Sequence, residues 1–423
     1  MNLSKSIKQV NGPINVVRLE GKVNDVRKVI YVFLDFHYGI SRQTECENIY
    51  SKDIQLYLAE NFGNLTKSDK IYDFFLEIKP GWLRDQNYGD NYRSNDNSKD
   101  IYIREVVKLF RKIFNYDPTK DLVYISDKMQ NVRLHYMDIR DYTQINFQDK
   151  LADAEYYVSN MWNDQRINIS EMKNILNIVA EFKTFCKNII NILSKIENNK
   201  FEVIKQSTIG TNNKNNLTSQ QKNQKTNNDL QYFLNKIFNT YQNQNVRSKM
   251  LTQRDILVEY LNSLLTDCNN LTRNYNKILD TYQSSIGKII KRDILNYYEY
   301  GLPAETTREM ITTIYNDISR LKDKSGKIFT RFMDLFFLRR FLDKNYITNA
   351  VAYTGAYHSL NYIEILLKDF GFKITHKSYS SVSDTKELND VILKRLPGSL
   401  GELFYPGVSI QCSDLTNFPD KFL

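Results

Sequence analysis

The sequence predicts an α/β fold: a pseudo-duplicated, mostly parallel sheet flanked by helices and carrying a large all-helical insertion. Three observations carry this reading. Apolar runs of strand length at residues 29–34, 72–76 and 347–353 each end beside ionisable residues. The third run passes through a glycine into a periodic helix, and between about 150 and 345 the pattern is helical throughout.

Residues 1–28 are polar and mixed, with an edge strand expected at 14–19. Val29-Ile-Tyr-Val-Phe-Leu34 is apolar at successive positions, which suits a strand buried on both faces, and it runs into Asp35-Phe36-His37. A helix is expected over 51–61. Tyr72-Asp-Phe-Phe-Leu76 leads to Glu77, and Pro80-Gly81 breaks the chain beyond it. Residues 88–100, rich in Asn, Asp, Ser and Gly, read as a solvated loop, and 101–114 as an amphipathic helix with Ile103, Val107, Leu109, Phe110 and Ile113 on or near one face. Residues 122–126 and 131–141 look extended. Val132, Leu134 and Tyr136 alternate with Arg133 and His135, so the two polar side chains share a face, with Asp138 and Arg140 just beyond.

The expected organisation is an N-terminal half of the α/β domain at 1–150, a helical insertion or lid at 151–328, and a C-terminal half at 329–423. Helices are expected at 171–195, 229–241, 254–280 and 307–322, with Pro303 marking a break, and a polar tract near 205–228 reads as disordered. A separate aromatic helix at 329–342 carries Asp334 and Arg340, which stand six apart and do not share a helix face. After the strand at 347–353 and a turn at Thr354-Gly355, Leu360, Ile363, Leu367 and Phe370 mark a helix capped by Ser359 and closed by a left-handed Gly371. Phe372–Ile374 would be the next strand of a β-α-β unit. His358 falls where strand end meets helix start, the edge at which open α/β sheets place ligands, and the helix dipole favours its neutral ring.

Composition narrows the function classes. Net charge is +9, from 58 Lys and Arg against 49 Asp and Glu. The basic residues are scattered without a block of five, which argues against nucleic acid as a partner, and the excess of Asn, Lys, Ile and Tyr fits an AT-rich genome. No stretch approaches the ~20 apolar residues of a membrane span. The N-terminus lacks a signal-peptide core, so a cytoplasmic product with no membrane role is expected. The four cysteines lack zinc-site spacing. Buried free thiols are the ordinary expectation for them, with a Cys46–Cys412 bridge as the alternative.

His37, Glu77, His135 and His358 all stand at or near predicted strand ends. Aligned on the histidines, Leu34-Asp35-Phe36-His37 lies over Gly355-Ala356-Tyr357-His358. The catalytic candidates are His37, Glu77, His358, Asp35 and His135, and the substrate-binding candidates are Asp138, Arg140, Asp334, Arg340 and Tyr357. A histidine oriented by a carboxylate can deprotonate water, and two histidines with a glutamate can equally hold a divalent metal, so a metal cofactor is left open. An arginine would clamp a carboxylate or phosphate, or pair with an aspartate. Each residue also has a plain structural reading: a hydrogen-bonded core histidine, a helix-capping glutamate, an Asp138–Arg140 ion pair, a structural His376. Three of four histidines on strand tips of one sheet favour a shared pocket.

These paired strand-then-His motifs, the second in the form Tyr353-Thr-Gly355-Ala-Tyr-His358, resemble the superfamily of erythromycin esterase, the haem-uptake ChaN proteins and the Tiki/TraB proteins. The resemblance implies two Gly-x-x-His motifs and a glutamate; Glu77 matches the glutamate, and Leu34 replaces the first glycine. It also implies hydrolysis with or without a metal, or haem binding. Asp35-Phe-His37, Leu76-Glu77, Arg133 to Arg140, Met333 to Arg340 and the second motif are similar to paralogous proteins of giant DNA viruses of the mimivirus group. The resemblance covers residues 15–145 and 325–412. Two functions follow as expectations: a hydrolase acting on a small molecule or peptide, and a non-catalytic virion or protein-interaction protein, with virion proteins as partners and the host cytoplasm or the virion as location.

Overall fold

The structure, a computed structural model, describes residues 8–40, 45–65, 70–78, 101–116, 123–139, 147–196, 230–285, 304–408, 410–419 and 422. Arg140, the loop at 88–100, the tract at 205–228, Pro80-Gly81 and Pro303 lie outside them. Among the described residues the chain is mixed α/β with two sheets. It forms two compact units, one of residues 1–139, 241–249 and 333–423, the other of residues 140–240 and 250–332.

The first unit is built on an eight-stranded sheet. Its order is β10 (Lys373–Lys377), β2 (Asn15–Val23), β3 (Val26–Asp35), β9 (Asn349–Gly355), β5 (Tyr72–Leu76), β8 (Val132–Tyr136), β7 (Val123–Ile125) and β6 (Asn115–Tyr116). The centre β3-β9-β5-β8 is parallel, and the strands outside it pair antiparallel. Every residue of the central runs Val29–Leu34 and Tyr72–Leu76 is buried, as runs covered on both faces require. A second, three-stranded sheet has the order β11 (Cys412–Asp414), β1 (Gln9–Asn11) and β4 (Lys52–Asp53).

Several expectations are corrected. β2 is not an edge strand: it forms a hairpin with β3, closed at Asn24 and Asp25, both with positive φ. The strand at 373–377 lies beside β2, antiparallel, so the expected β-α-β unit does not pair its strands. Two helices expected at 307–322 and 329–342 are one continuous helix, α6 (Ala304–Asp343). The helix after β9, α7 (Ala356–Lys368), starts three residues before its expected cap Ser359, whose hydroxyl instead pairs with Thr354 Oγ1 at 2.8 Å. Gly371 does take the left-handed conformation expected of it. The register places Asp35 opposite Gly355 and Leu34 opposite Thr354, one residue off the alignment made on the histidines. Cys46 and Cys412 form a disulfide, while Cys186 and Cys268 are buried free thiols.

Helices α1 (Ile54–Asn64) and α2 (Tyr102–Phe110) cover one sheet face through Phe62, Phe74 and Phe110, whose ring centroids lie 5.2–5.9 Å apart. Phe422 enters this cluster, buried beside Tyr31, Tyr57 and Phe62 at 5.0, 5.9 and 5.8 Å, and its carbonyl accepts from the Tyr72 hydroxyl. On the other face Phe75 meets Phe337 of α6, which packs on Tyr362 of α7. The second unit is helical where described. It includes α3 (Phe147–Asp164) and α4 (Ile169–Lys195), the latter capped by the Asn168 side chain and buried through Met172, Ile175, Val179 and Phe182. Among the described residues no helix is long and apolar enough to cross a membrane.

Phe422 fills space between strand and helix side chains that are far from it in sequence. Phe422→Ala is expected to lower unfolding free energy by about 3–5 kcal/mol, read as a reduced denaturant midpoint at unchanged slope. A loss under about 1 kcal/mol would show that the cluster packs without it.

Candidate functional site

Parallel register brings the carboxyl ends of β3, β9 and β5 side by side, with Asp35 opposite Gly355 and Leu76 opposite Tyr353. His37 follows β3 by two residues, Glu77 follows β5 by one, and His358 lies in the first turn of α7. Four of the five catalytic candidates from the sequence therefore converge. Glu77 Oε2 accepts the Gly355 N–H at 2.7 Å and faces His37 Nε2 at 3.3 Å, while Glu77 Oε1 lies 3.6 Å from His358 Nε2. A carboxylate on the amide at the start of a helix also gains from the helix dipole.

Each histidine has a second carboxylate behind it. His358 Nδ1 lies 2.6 Å from Asp334 Oδ1, and Asn361 Nδ2 donates to Asp334 Oδ2 at 2.7 Å. In the neutral ring this bond fixes the proton on Nδ1 and turns the Nε2 lone pair towards Glu77. His37 Nδ1 is 3.5 Å from Asp35 Oδ2, long for a hydrogen bond. Asp35 is committed elsewhere: Oδ1 accepts the His37 N–H at 2.7 Å and Gln411 Nε2 at 3.1 Å, and Oδ2 accepts the Tyr353 hydroxyl at 2.5 Å. Burial, then Asp35, push the Tyr353 phenol well above its ordinary value, so it remains a donor. His37 sits at φ +55°, a conformation costing roughly 1–3 kcal/mol that the Asp35 bond to its own N–H stabilises.

Burial disfavours the His37 imidazolium, but Asp35 and Glu77 outweigh it and raise the pKa to about 10. His37 is thus a cation at neutral pH. Its side chain is 31% exposed against 11% for His358 and 6% for Glu77, so the site opens at His37. Beside that opening Phe36 packs between a tilted Tyr38 ring and Tyr405 edge-on, and Tyr38 and Tyr357 are exposed.

His135 does not join this group. It lies opposite Phe75 in the register, fully buried and stacked on that ring at 4.5 Å, with Nε2 2.6 Å from Asp73 Oδ1. Arg133 binds the same aspartate at 2.8 and 2.6 Å, as two polar residues sharing a strand face would. Burial outweighs the Asp73 bond and lowers the His135 pKa to about 4, so it serves the core as a neutral ring. Asp138 is buried past β8, its N–H donating to Ile78 O at 3.1 Å, and Arg340 is buried on α6 near enough to repel a charged His135. Arg140 lies outside the described residues. His376 is half-buried against Phe418. Sequence reasoning missed Tyr353, Gln411, Asn361 and the role of Gly355 as an amide donor.

Among the described residues no group of three or more His, Cys, Asp or Glu is placed to hold a metal ion.

The model of the Family of unknown function (DUF5847) matches residues 8–423, and the chain belongs to that family. It is 38% identical to "Uncharacterized protein R706" of Acanthamoeba polyphaga mimivirus, over 99% of this chain and 98% of the relative. It is 37% identical to "Uncharacterized protein R160" of the same virus, over 100% and 99%, and 36% identical to "Uncharacterized protein R161", over 99% of each. The expected likeness to mimivirus-group proteins is thus met. No solved structure matches.

Raising the His37 pKa from 6.5 to about 10 stabilises the fold fully below the lower value and is lost as pH rises through the upper one. Denaturation measured from pH 6.5 to 10 is expected to show falling stability, and His37→Gln is expected to flatten that limb. An equal fall in the variant would assign the alkaline loss to other groups.

Proposed function

We propose that this member of the family is a hydrolase whose site is the His37–Glu77–His358 group, related in fold and chemistry to the erythromycin esterase and Tiki/TraB superfamily. The observation that carries the reading is one glutamate shared by two histidines, each backed by its own aspartate, at the carboxyl ends of adjacent parallel strands.

The two rings suit opposite tasks. Asp334 orients His358 as a base, and a water within about 3 Å of both His358 Nε2 and Glu77 Oε1 would be held and deprotonated there. The hydroxide adds to an acyl carbon, and the His37 imidazolium stabilises the resulting oxyanion before protonating the leaving group. The bond between acyl carbon and leaving atom breaks, giving an acid and an alcohol or amine, and the proton taken up by His358 passes through solvent to His37, restoring both rings. Each carboxylate has a separate part: Glu77 holds the water and balances His37, Asp35 keeps His37 charged, and Asp334 sets the His358 tautomer. The aromatic rim of Phe36, Tyr38, Tyr357 and Tyr405 supports acyl or peptide substrates with an apolar or aromatic group beside the reacting carbon.

The test is a screen of purified protein against chromogenic esters and peptides with apolar acyl groups. Activity is expected to fall by about 10²–10⁴-fold in Glu77→Gln and in His358→Asn, both near-isosteric. Variants that keep full activity would sink the assignment. A wild-type chain inactive across the panel, but recovered bound to virion proteins, would favour the non-catalytic role instead.

A further inference from the structure

We propose that Gln411 is a positioning residue for the Asp35–His37 pair and that the Cys46–Cys412 disulfide fixes its reach, so that the chain's thiol state controls how His37 is held. The inference rests on the reading of His37 as the acid of the site. Gln411 is fully buried, and its Nε2 donates to Asp35 Oδ1 at 3.1 Å across 376 positions of sequence. Its Oε1 has no hydrogen-bond partner among the described residues. Among the described residues the amide is oriented by Asp35, since turning it over would set an oxygen against the carboxylate. With the Tyr353 hydroxyl on Oδ2, Gln411 completes the two side-chain donors that fix the plane of the Asp35 carboxylate and aim Oδ2 at His37 Nδ1.

The main chain around Gln411 is tied to β1, with the Ser413 hydroxyl donating to Pro13 O at 2.8 Å, and to the disulfide. The next residue, Cys412, is bridged to Cys46 with Cα atoms 5.0 Å apart. The strand that follows pairs with β1 over three residues only, and the Gln411 carbonyl accepts from Gly12 N. Cys46 is tied to the same strand, its N–H donating to Asn11 Oδ1 at 3.0 Å. Both cysteines are partly exposed and open to a dithiol. A dithiol supplies two electrons and two protons: the S–S bond breaks, two thiols form, and the dithiol becomes a cyclic disulfide. Gln411 then loses its covalent tie and keeps the ladder, the Gly12 N–H and the Ser413 hydroxyl bond, and the Asp35 carboxylate is freer to turn from His37.

The experiment is a proton-detected NMR titration of the full chain labelled at histidine, which has four histidines in all, with the His37 signal identified by its loss in His37→Gln. Oxidised protein, protein in excess dithiothreitol, Gln411→Leu, and Gln411→Leu in dithiothreitol are compared. The His37 midpoint is expected to fall by about one unit on reduction and in the variant, with no further fall when the two are combined, as for changes acting through one contact. A midpoint unmoved by reduction, or two falls that add, overturns the proposal. If Gln411→Leu does not fold, Gln411→Asn, which keeps the amide and shortens its reach, and Cys412→Ser are read in the same way. A midpoint near 6.5 in oxidised wild type would sink the acid role of His37 and this inference with it, whereas a high midpoint indifferent to Gln411 and to the disulfide sinks this inference alone.

Discussion

Glu77 is a carboxylate taken almost wholly out of water, and such a group is tolerated only when its oxygens are hydrogen-bonded or paired. Its partners dictate the architecture around it. The Gly355 N–H must approach to 2.7 Å, and His37 must lie alongside. A Cβ on Gly355 would stand 3.1 Å from His37 Nε2 and 3.3 Å from Glu77 Oε2, tighter than nine in ten real Cβ contacts. With φ −52° and ψ 142°, backbone conformation does not demand glycine there; the missing side chain makes room. Parallel pairing then matters as much as identity, because only the observed register sets Asp35 opposite Gly355 and Leu76 opposite Tyr353.

From this one glutamate the two histidines diverge. His358 has Asp334 within 2.6 Å of its ring, an aspartate whose second oxygen is satisfied by Asn361. That contact is short and directional and fixes a tautomer. Asp35 gives its close bonds to Tyr353, Gln411 and a backbone N–H, and faces His37 Nδ1 through Oδ2 at 3.5 Å. A carboxylate turned towards the ring in a poorly solvated site holds a proton there. One ring is therefore directed and the other protonated, the division of labour that acid–base chemistry asks of a pair.

What could be read in the sequence follows from the range of the interactions involved. Fully buried strands announce themselves by continuous apolar runs, and Val29–Leu34, Tyr72–Leu76 and the run before Gly355 were legible for that reason. Residues at the tips of those strands were legible too, and His37, Glu77 and His358 come together. Pairing partners were not. Nothing local in Lys373–Lys377 says that it lies antiparallel beside β2, and a single register shift separates the alignment on the histidines from the true one. His135 shows the limit of residue type as a guide. It shares its chemistry with His37, but it stands within its strand opposite Phe75, where an aromatic ring and Asp73 enclose it and burial removes its charge.

The parts missed altogether share a property: they act across great sequence distance. Tyr353 and Gln411 reach Asp35 from 318 and 376 positions away. An amide in a polar stretch near the end of a chain carries no periodicity and no motif, and its role exists only once the three-stranded sheet has formed. The geometry of His37 is consequently not a local property of Asp35-Phe36-His37. The left-handed turn brings the ring to the strand end, but the carboxylate that keeps it charged is aimed by the far end of the chain. Any change that loosens that end, by reduction or by substitution, acts on the proton of a histidine it does not touch.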